Sequence, residues 1–391
     1  MKNVICNVQL VQSGQIHPCD LVLADDVIDA IVPVGTAPKE LPCIDGGGLY
    51  LSHGFIDIHC HGGGGADFMD ATEEAWRTAL RLHLSHGTTC ITPTTLSATS
   101  EEIIRAFDIF YRCKNDLKDG ARVLGLHLEG PYFSPAQAGA QDPSQLRNPD
   151  AEEAARILKE CPDIVRWSLA PELPGALEMG RELTQQGVLA AIGHSDATYS
   201  QVQQAVSAGF THITHLYSAT STITRHNGFR QGGIVESAYL LPELTSEIIA
   251  DGCHLPAELL QMAYRFIGSQ RLCLITDAMR AAGQTHGESV LGSKATGQRV
   301  IIEDGVAKMP NRQAFAGSIA TADRLVRNMV RLAGASLPDA IEMITATPAK
   351  IIGKSHITGT VAPGRKADLV LFDENITIRK VWTDGIVRFQ N

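Results

Sequence analysis

An alternation of apolar segments with amphipathic segments fills the middle of the chain and most strongly limits its fold. Eight segments are typical of buried strands: 54–62, 88–96, 123–131, 165–172, 189–197, 212–219, 245–254 and 272–281. Helix-like spacers separate most of them, at 72–86, 100–117, 151–160, 173–186, 200–208 and 256–267. Eight such units over about 300 residues predict an α/β fold, a TIM-like (β/α)8 barrel. A doubly wound sheet is the alternative, but no G-x-G-x-x-G sequence follows the first strand.

The two ends of the chain have a different pattern. Short β-branched runs with period-two alternation and intervening turns fill residues 1–50 and 357–391, which is typical of antiparallel sheet. We expect the two ends to pair into one small β-sandwich domain. The predicted organisation is therefore an N-terminal part of the sandwich (1–52), a barrel (53–354) and a C-terminal part of the sandwich (355–391).

Charge and composition exclude several classes of function. The 391 residues carry a formal net charge of −10, which argues against nucleic acid or an acidic membrane as a partner. No apolar run approaches the roughly 18 residues of a membrane span, and the N-terminus lacks the architecture of a signal peptide. Nine cysteines without a C-x-x-C pair predict reduced, mostly buried thiols in a cytoplasmic protein.

His59 and His61, at the end of the first predicted strand, carry the strongest functional signal. Residues i and i+2 of a strand point to the same side, so both imidazoles can aim at one point, with Asp57 behind them on that face. Neutral imidazole is the commonest metal ligand. The chain has 14 histidines, so one such pair can also arise by chance.

Five further predicted strands end in ionisable residues: His127 and Glu129, His194 and Asp196, His212 and His215, Asp251 and His254, and Asp277. In a barrel the chemistry lies at the C-terminal ends of the strands. Ionisable groups crowded there are unfavourable unless a cation compensates them. Several imidazoles with one carboxylate suit Zn²⁺ or a similar divalent ion. A helix cap is the alternative for Asp196, and we interpret His212 as structural or as a support for a ligand.

Four neighbouring residues are interpreted as structural. His83 and His86 fall on a predicted helix, and we expect them at the surface or at the edge of the core. Cys60 and Cys253 are next to candidate site histidines but would point to the opposite faces of their strands. We therefore interpret both cysteines as packing residues.

Six motifs occur in an order that resembles a known family: F-I-D-I-H-C-H-G, H-L-E-G-P, G-H-S-D-A, T-H-L-Y, A-D-G-C-H and T-D-A-M-R-A. The chain resembles the N-acetylglucosamine-6-phosphate deacetylases of the amidohydrolase superfamily. The resemblance covers essentially the whole chain, including the late segment 316–318. It implies a homodimeric, metal-dependent amide hydrolase that releases acetate from an N-acetyl amino sugar 6-phosphate.

The resemblance also implies roles for individual residues. Glu129, His194 and His215 would hold the main divalent metal, Zn²⁺ being the first choice and Fe or another divalent ion the alternative. His59 and His61 would form a second site, which some relatives fill and others do not. Asp277 would be the general acid and base. Contacts to the sugar and its phosphate, partly across a dimer interface, are implied for six residues: Gln141, Ser218, Ala219, Arg230, His254 and Arg225.

Two segments depart from the family's pattern. Leu216-Tyr-Ser-Ala-Thr220 stands where the family usually reads L-Y-N-A-M, and segment 221–233 looks longer than usual. Arg225, His226 and Arg230 compete as phosphate ligands, and Arg230 is favoured because R-Q-G-G best matches the family's R-E-P-G. The departures leave N-acetylgalactosamine-6-phosphate or an unphosphorylated N-acetyl sugar as alternative substrates. Gln141 stands where some relatives have His, and Gln is the form expected with two metals.

Two other functions fit the residues less well. Many cyclic-amide hydrolases of the same superfamily use a carboxylated lysine on the fourth strand, but segment 165–172 contains no lysine. That observation also counts against a nucleobase deaminase of this group. A non-catalytic scaffold should have lost ligands or Asp277, and none of them is lost.

Overall fold

The computed structural model describes residues 2–391. Strands from both chain ends form one mixed sheet of eight strands. These strands are Lys2–Gln12, Gln15–Ala24, Val27–Val32, Cys43–Asp45, Tyr50–His53, Leu369–Phe372, Ile378–Thr383 and Ile386–Gln390. Leu369–Phe372 runs antiparallel to Tyr50–His53, so the predicted pairing of the two ends is confirmed. Leu10, Leu51 and Leu369 belong to a buried apolar cluster of this sheet.

Each of the eight strand candidates overlaps a strand of the structure: Phe55–Cys60, Thr88–Pro93, Leu126–Glu129, Ile164–Leu169, Leu189–Ile192, His212–Ile213, Thr245–Ile248 and Leu272–Leu274. The last six form one parallel sheet in chain order. The first two pair in parallel with each other, and the second also pairs with Arg122–Val123, which directly precedes the third.

Isolated parallel bridges join Thr94 to His127 and Cys60 to Ala278. The first bridge places the end of the second strand beside the third strand, and the second bridge places the end of the first strand beside that of the eighth. Because the strands follow chain order and run in parallel, their C-terminal ends lie along a common edge. Polar residues that end these strands are therefore neighbours in space.

Helices follow most of the strands, and each of the six predicted spacers overlaps one. The helices are Glu73–Ser85, Ser100–Cys113, Ala151–Glu160, Ala176–Gln185, Tyr199–Ser207, Ile234–Leu240, Ala257–Ile267, Ala322–Arg331, Leu337–Ile344 and Ala346–Ile351. Short 3-10 helices lie at Phe68–Asp70, Pro135–Gln137 and Pro143–Gln145. Thr99 and Glu102 form a reciprocal capping box at the start of Ser100–Cys113, which satisfies backbone donors there. Within residues 2–391, no helix has the length and apolar character needed to cross a membrane.

Three small antiparallel elements lie at the edge where the parallel strands end. They are the ribbon Gly62–Gly63 with Ala66–Asp67, the hairpin Thr224–His226 with Phe229–Gln231, and the three-stranded sheet Gly287–Leu291, Gln298–Glu303 and Val306–Lys308. The three-stranded sheet is an insertion after the eighth parallel strand. It packs around its own apolar cluster, which includes Met279, Leu291 and Ala316.

The expectation that all nine cysteines are reduced thiols is wrong for Cys6 and Cys43, which form a disulfide. Their strands pair in parallel with Val4 opposite Cys43, and this register brings the two sulfurs together. The two residues are 37 positions apart, so no local spacing pattern predicts the disulfide. The remaining seven cysteines are free.

The expectation that His83 lies at the surface or core edge is also wrong, because it is fully buried. Its Nε2 lies 2.9 Å from the Gly62 carbonyl oxygen and 3.1 Å from Cys60 Sγ. Burial lowers the pKa of His83 to about 4. Cys60 faces this imidazole, which agrees with its interpretation as a packing residue. His86, half-buried beside Asp323, lies at the edge as expected.

Candidate active site

Glu129 lies among four imidazoles. Its Oε1 is 3.0 Å from His215 Nε2, 3.3 Å from His59 Nε2 and 3.4 Å from His194 Nε2. Its Oε2 is 3.3 Å from His61 Nε2. Burial raises the pKa of Glu129, but His59, His194 and His215 outweigh burial and hold that pKa well below its usual range. The Glu129 side chain is therefore a buried carboxylate anion that faces ring nitrogens from three different strands or their ends.

Asp277 joins this cluster from the end of the eighth strand. Its Oδ1 lies 3.1 Å from His61 Nε2 and 3.5 Å from His59 Nε2. Burial raises the pKa of Asp277, and the two histidines outweigh that effect, so its pKa lies below the usual value. Its backbone is anchored on both sides, because its N–H donates to the His59 carbonyl and its own carbonyl accepts from Ser318.

The backbone at three of these residues is unusual. His194, His215 and Asp277 have φ angles of 46°, 26° and 47°, a left-handed conformation that side chains other than glycine rarely adopt. Each follows the end of a parallel strand, and the turn directs the side chain toward the common edge. Such strain persists only where the surrounding structure holds it, and it is concentrated at functional sites.

The hydrogen bonds of the ring Nδ1 atoms determine which nitrogen faces Glu129. Nδ1 of His194 donates to the Gln137 carbonyl at 2.9 Å, and Nδ1 of His215 donates to the Ser218 carbonyl at 3.1 Å. A neutral imidazole that donates through Nδ1 carries its lone pair on Nε2. Both histidines therefore present the ring atom that a metal ligand uses.

The donor set fits one or two divalent ions. Residues 2–391 contain four groups of three side chains whose possible ligand atoms lie within 4.8 Å of one another, and two of them contain the candidate ligands: Glu129, His194 and His215, and His59, His61 and Asp277. Among residues 2–391 the buried His59 Nε2 has no hydrogen-bond partner. Complete burial lowers the pKa of His59, but Glu129, Glu247 and Asp277 outweigh it and raise the pKa to about 9. Positive charge is thus favoured at this point, and imidazole with carboxylate suits Zn²⁺ or a similar ion.

A cavity of about 300 Å³ opens above the two groups. It is lined by nine of the twelve candidate site residues from the sequence: His61, Glu129, Gln141, His194, His215, Ser218, Ala219, His254 and Asp277. Leu96, Tyr217, Leu291 and Phe315 are among the other lining residues. The cavity is therefore the place where the candidate metal ligands and the candidate substrate contacts meet, and His59 lies in contact with the same cluster.

Gln141 and His254 have partners that fix their orientation. The Gln141 amide nitrogen donates to Glu129 Oε2 at 2.8 Å, and its oxygen accepts from the Ser97 N–H at 2.8 Å. Nδ1 of His254 donates to Asp251 Oδ2 at 2.8 Å, and its ring meets Phe315 edge to face at 4.9 Å between centroids. Gln141 thus orients a candidate ligand, a role that the sequence did not suggest.

Arg225 and Arg230 lie away from the cavity. They stand opposite each other on the exposed hairpin Thr224–His226 with Phe229–Gln231. Neither belongs to the lining of the cavity within the described chain. The structure of one chain therefore does not bring these two arginines to the cluster, although it brings the other predicted substrate residues there.

Other residues of this region have structural partners. Asp57 lies behind the histidines as expected, where its carboxylate accepts from the Thr276 hydroxyl at 2.5 Å, and burial raises its pKa to about 6. His212 is buried, with Nδ1 2.7 Å from the Thr245 hydroxyl, in agreement with a supporting role. Sequence reasoning missed Arg166 and Glu247, which lie beneath the cluster. A lone arginine within an apolar strand segment was the available signal.

Comparison with known proteins defines the class. The Amidohydrolase family model matches residues 50–388, and this chain therefore belongs to the amidohydrolase family, whose members are hydrolases. It is 34% identical over 400 residues to the N-acetylglucosamine-6-phosphate deacetylase of Lysinibacillus sphaericus, with 99% of this chain and 98% of that protein covered.

Two further comparisons agree with this class. The chain is 33% identical to the N-acetylgalactosamine-6-phosphate deacetylase of Escherichia coli O157:H7, and 96% of each protein is covered. Its structure matches the crystal structure of N-acetylglucosamine-6-phosphate deacetylase from Pasteurella multocida with a TM-score of 0.93, at 28% identity and with 100% of both chains covered. The family resemblance read from the six motifs is thereby confirmed.

Proposed function

We propose that this chain is a divalent-metal-dependent deacetylase of N-acetyl amino sugar 6-phosphates, with N-acetylglucosamine-6-phosphate as its first substrate. The reaction hydrolyses the acetamide bond and releases acetate and glucosamine-6-phosphate. The observation that carries the proposal is the pair of donor groups around Glu129 and Asp277 at one cavity. Relatives that cover nearly the whole chain and bear the name of this reaction support it.

The proposal includes a closed (β/α)8 barrel and a β-sandwich domain, with boundaries at 1–52, 53–354 and 355–391. Parallel strands in chain order and the bridges at Thr94 and Cys60 support the barrel. The mixed end sheet and its own apolar cluster support a separate domain.

Glu129, His194 and His215 would hold the main ion, and His59 with His61 would hold a second. A bound divalent ion, Zn²⁺ as first choice, would lower the pKa of a water molecule and polarise the acetyl carbonyl. The Nδ1 hydrogen bonds of His194 and His215 support this assignment, because they leave Nε2 as the ligand atom. Glu129 is the carboxylate that both of these imidazoles approach.

Asp277 would move the proton. It lines the cavity, and its pKa lies below the ordinary value, so at neutral pH it is ready to accept a proton from the attacking water. It would then deliver that proton to the nitrogen of the departing amine. General acid–base catalysis of this kind contributes about 10²–10⁴-fold to the rate.

The lining residues would hold the sugar. Because Nδ1 of His254 donates to Asp251, its Nε2 remains for a sugar hydroxyl or a phosphate oxygen. Gln141, Ser218 and Ala219 line the same cavity as Glu129 and His215. They would therefore contact the acetamide end of the substrate.

We also propose that the enzyme is a cytoplasmic homodimer in which Arg230, with Arg225 as the alternative, binds the 6-phosphate of a substrate held mainly by the other subunit. The exposed hairpin supports this arrangement: it carries both arginines, and its Phe229 is 79% exposed. Neither arginine lines the cavity of its own chain, so each is available to the cavity of the other subunit. Arginine recognises phosphate through paired, charge-assisted hydrogen bonds.

N-acetylgalactosamine-6-phosphate is the second candidate substrate. The segment 218–220 departs from the family's usual sequence, and Ser218 and Ala219 both line the cavity. A relative of similar identity is named for the galacto-configured substrate.

A substrate panel tests the proposed function. Acetate release would be measured with the glucosamine and galactosamine derivatives, each with and without the 6-phosphate, for metal-depleted protein and for protein reloaded with Zn²⁺. We expect the reloaded protein to hydrolyse the glucosamine 6-phosphate derivative best. Equal rates with and without metal, or a preference for an unphosphorylated sugar, would contradict the proposal.

A further inference from the structure

Arg166 and Glu247 form an ion pair directly beneath the candidate metal cluster. Both side chains are fully buried. The guanidinium binds the carboxylate with two hydrogen bonds, Nη1 to Oε2 at 2.6 Å and Nη2 to Oε1 at 2.8 Å. Its nitrogens also donate to the Thr214 hydroxyl and the Ile58 carbonyl. Apolar residues of similar volume often stabilise a fold as well as such a pair does, so its position suggests a role other than stability.

Glu247 also contacts one residue from each donor group. Nδ1 of His59 donates to Glu247 Oε1 at 2.8 Å, and the backbone N–H of His215 donates to the same oxygen at 3.1 Å. Nε2 of His212 approaches the other oxygen at 3.3 Å. One carboxylate therefore links the first, sixth and seventh strands at the level just below the cavity.

We propose that Glu247, held in place by Arg166, is the positioning residue that fixes His59 and His215 for metal binding; this rests on the proposed metal centre. A carboxylate anion can only accept a hydrogen bond, so the proton of His59 lies on Nδ1. In the neutral imidazole, the form that binds a metal, Nε2 then carries the lone pair, 3.3 Å from Glu129 Oε1 and 3.5 Å from Asp277 Oδ1. Without Glu247, the ring of His59 could adopt the other tautomer or rotate.

The role of Arg166 follows from charge. Glu129, Asp277 and Glu247 are three carboxylates within one buried region, and the bidentate guanidinium neutralises Glu247, which takes no direct part in the proposed metal binding or proton transfer. His194 and His215 donate through Nδ1 to backbone carbonyls, whereas His59 donates to a carboxylate. A carboxylate partner makes an imidazole ligand more basic, so the ion at His59 depends most on this pair.

Metal affinity measured on the purified protein tests the inference. Zn²⁺ and Co²⁺ would be titrated in competition with a chelator, and the visible spectrum of bound Co²⁺ would report the ligand arrangement. We expect Glu247→Gln to lower the affinity for the ion at His59 by about 10–100-fold, the range typical of groups that orient ligands. The variant should also change the spectrum of bound Co²⁺. The ion at Glu129 should be affected less.

A double variant separates positioning from folding. Glu247→Gln leaves Arg166 as a buried, unpaired charge, so that variant alone can lose stability. Arg166→Met with Glu247→Met removes the pair as a unit, and we expect it to recover thermal stability while metal affinity stays about 10–100-fold low. Asp368→Asn is the matched control, because Asp368 is a buried carboxylate paired with Arg122, and it should leave metal affinity unchanged.

Wild-type affinity in both Glu247 variants would overturn the inference, as would a loss of affinity that the double variant restores together with stability. A wild-type protein that binds neither Zn²⁺ nor Co²⁺ would overturn the proposed metal-dependent function itself. The two failures are therefore distinguishable.

Discussion

Asp277 Oδ1 lies 3.1 Å from His61 Nε2, and the Asp277 backbone N–H donates to the carbonyl of His59. The end of the eighth parallel strand is thus tied to the end of the first by both a side chain and the main chain. The position of the proposed proton-transfer group is consequently coupled to that of the proposed second metal site. A displacement of either strand end would move both.

Asp277→Asn should keep the fold and the metal but lose turnover. The amide has nearly the shape of the carboxylate and cannot accept the proton, so we expect kcat to fall by about 10²–10⁴-fold. Asp304→Asn, an exposed carboxylate whose side chain is 78% accessible, is the control and should behave as wild type. A rate for Asp277→Asn above about a tenth of wild type would contradict the assignment.

The two donor groups should hold metal unequally. Glu129→Gln removes the anionic ligand of the proposed main site, so elemental analysis should show loss of the tighter ion. His59→Asn combined with His61→Asn should remove at most one, weaker ion. Full metal content in Glu129→Gln would show that Glu129 is not a ligand.

Arg230→Ala should raise KM for the phosphorylated substrate by about 10–100-fold and leave the unphosphorylated sugar nearly unaffected, because a charge-assisted bond contributes roughly 1.5–3 kcal/mol. Arg225→Ala would be measured in parallel, with the exposed Arg112→Ala as control. An equal loss of activity on both substrates would show that the arginine is a structural residue.

The proposed exchange between subunits has its own test. Mixing Asp277→Asn with Arg230→Ala protein should restore activity of up to about a quarter of wild type, because each mixed dimer of twofold symmetry would contain one intact site. No restoration in a mixture shown to exchange subunits would place Arg230 and Asp277 at the same chain's cavity or exclude Arg230 from it.

His83 should make the metal-free protein sensitive to acid. Its folded-state pKa of about 4 lies below the ordinary value of 6.5, so the unfolded chain binds a proton first as the pH falls. Stability contributed by neutral His83 is present above pH 6.5 and is lost between pH 6.5 and 4, by up to about 3 kcal/mol. Urea unfolding should show a smaller loss over this range for His83→Gln, while the exposed His286→Gln should match wild type. Identical pH dependence in all three proteins would contradict this account.

The sequence predicted what depends on local pattern and on strand order. Apolar segments located all eight parallel strands, and the rule that chemistry lies at their C-terminal ends brought Glu129, His194 and His215 together before any distance was known. It missed the Arg166–Glu247 pair, whose members are 81 residues apart. The sequence around a buried charged residue does not show which distant residue will be its partner. It also missed the burial of His83, since helical periodicity does not show that the Gly62–Gly63 ribbon covers that position. The positions of Arg225 and Arg230 relative to a phosphate depend on contacts outside a single chain, which no local pattern encodes.

The position of Tyr50–His53 in the end sheet bears on how the protein is made. This strand pairs with Lys2–Gln12 on one side and with Leu369–Phe372 on the other, and it leads directly into Phe55–Cys60, which carries His59. During synthesis the chain emerges from the N-terminus at about 5–20 residues per second. One side of Tyr50–His53 therefore stays an open strand edge until Leu369–Phe372 has left the ribosome. The first candidate ligands are translated early, yet the sheet beside them is completed last, so an incomplete nascent chain exposes an edge on which other strands can pair.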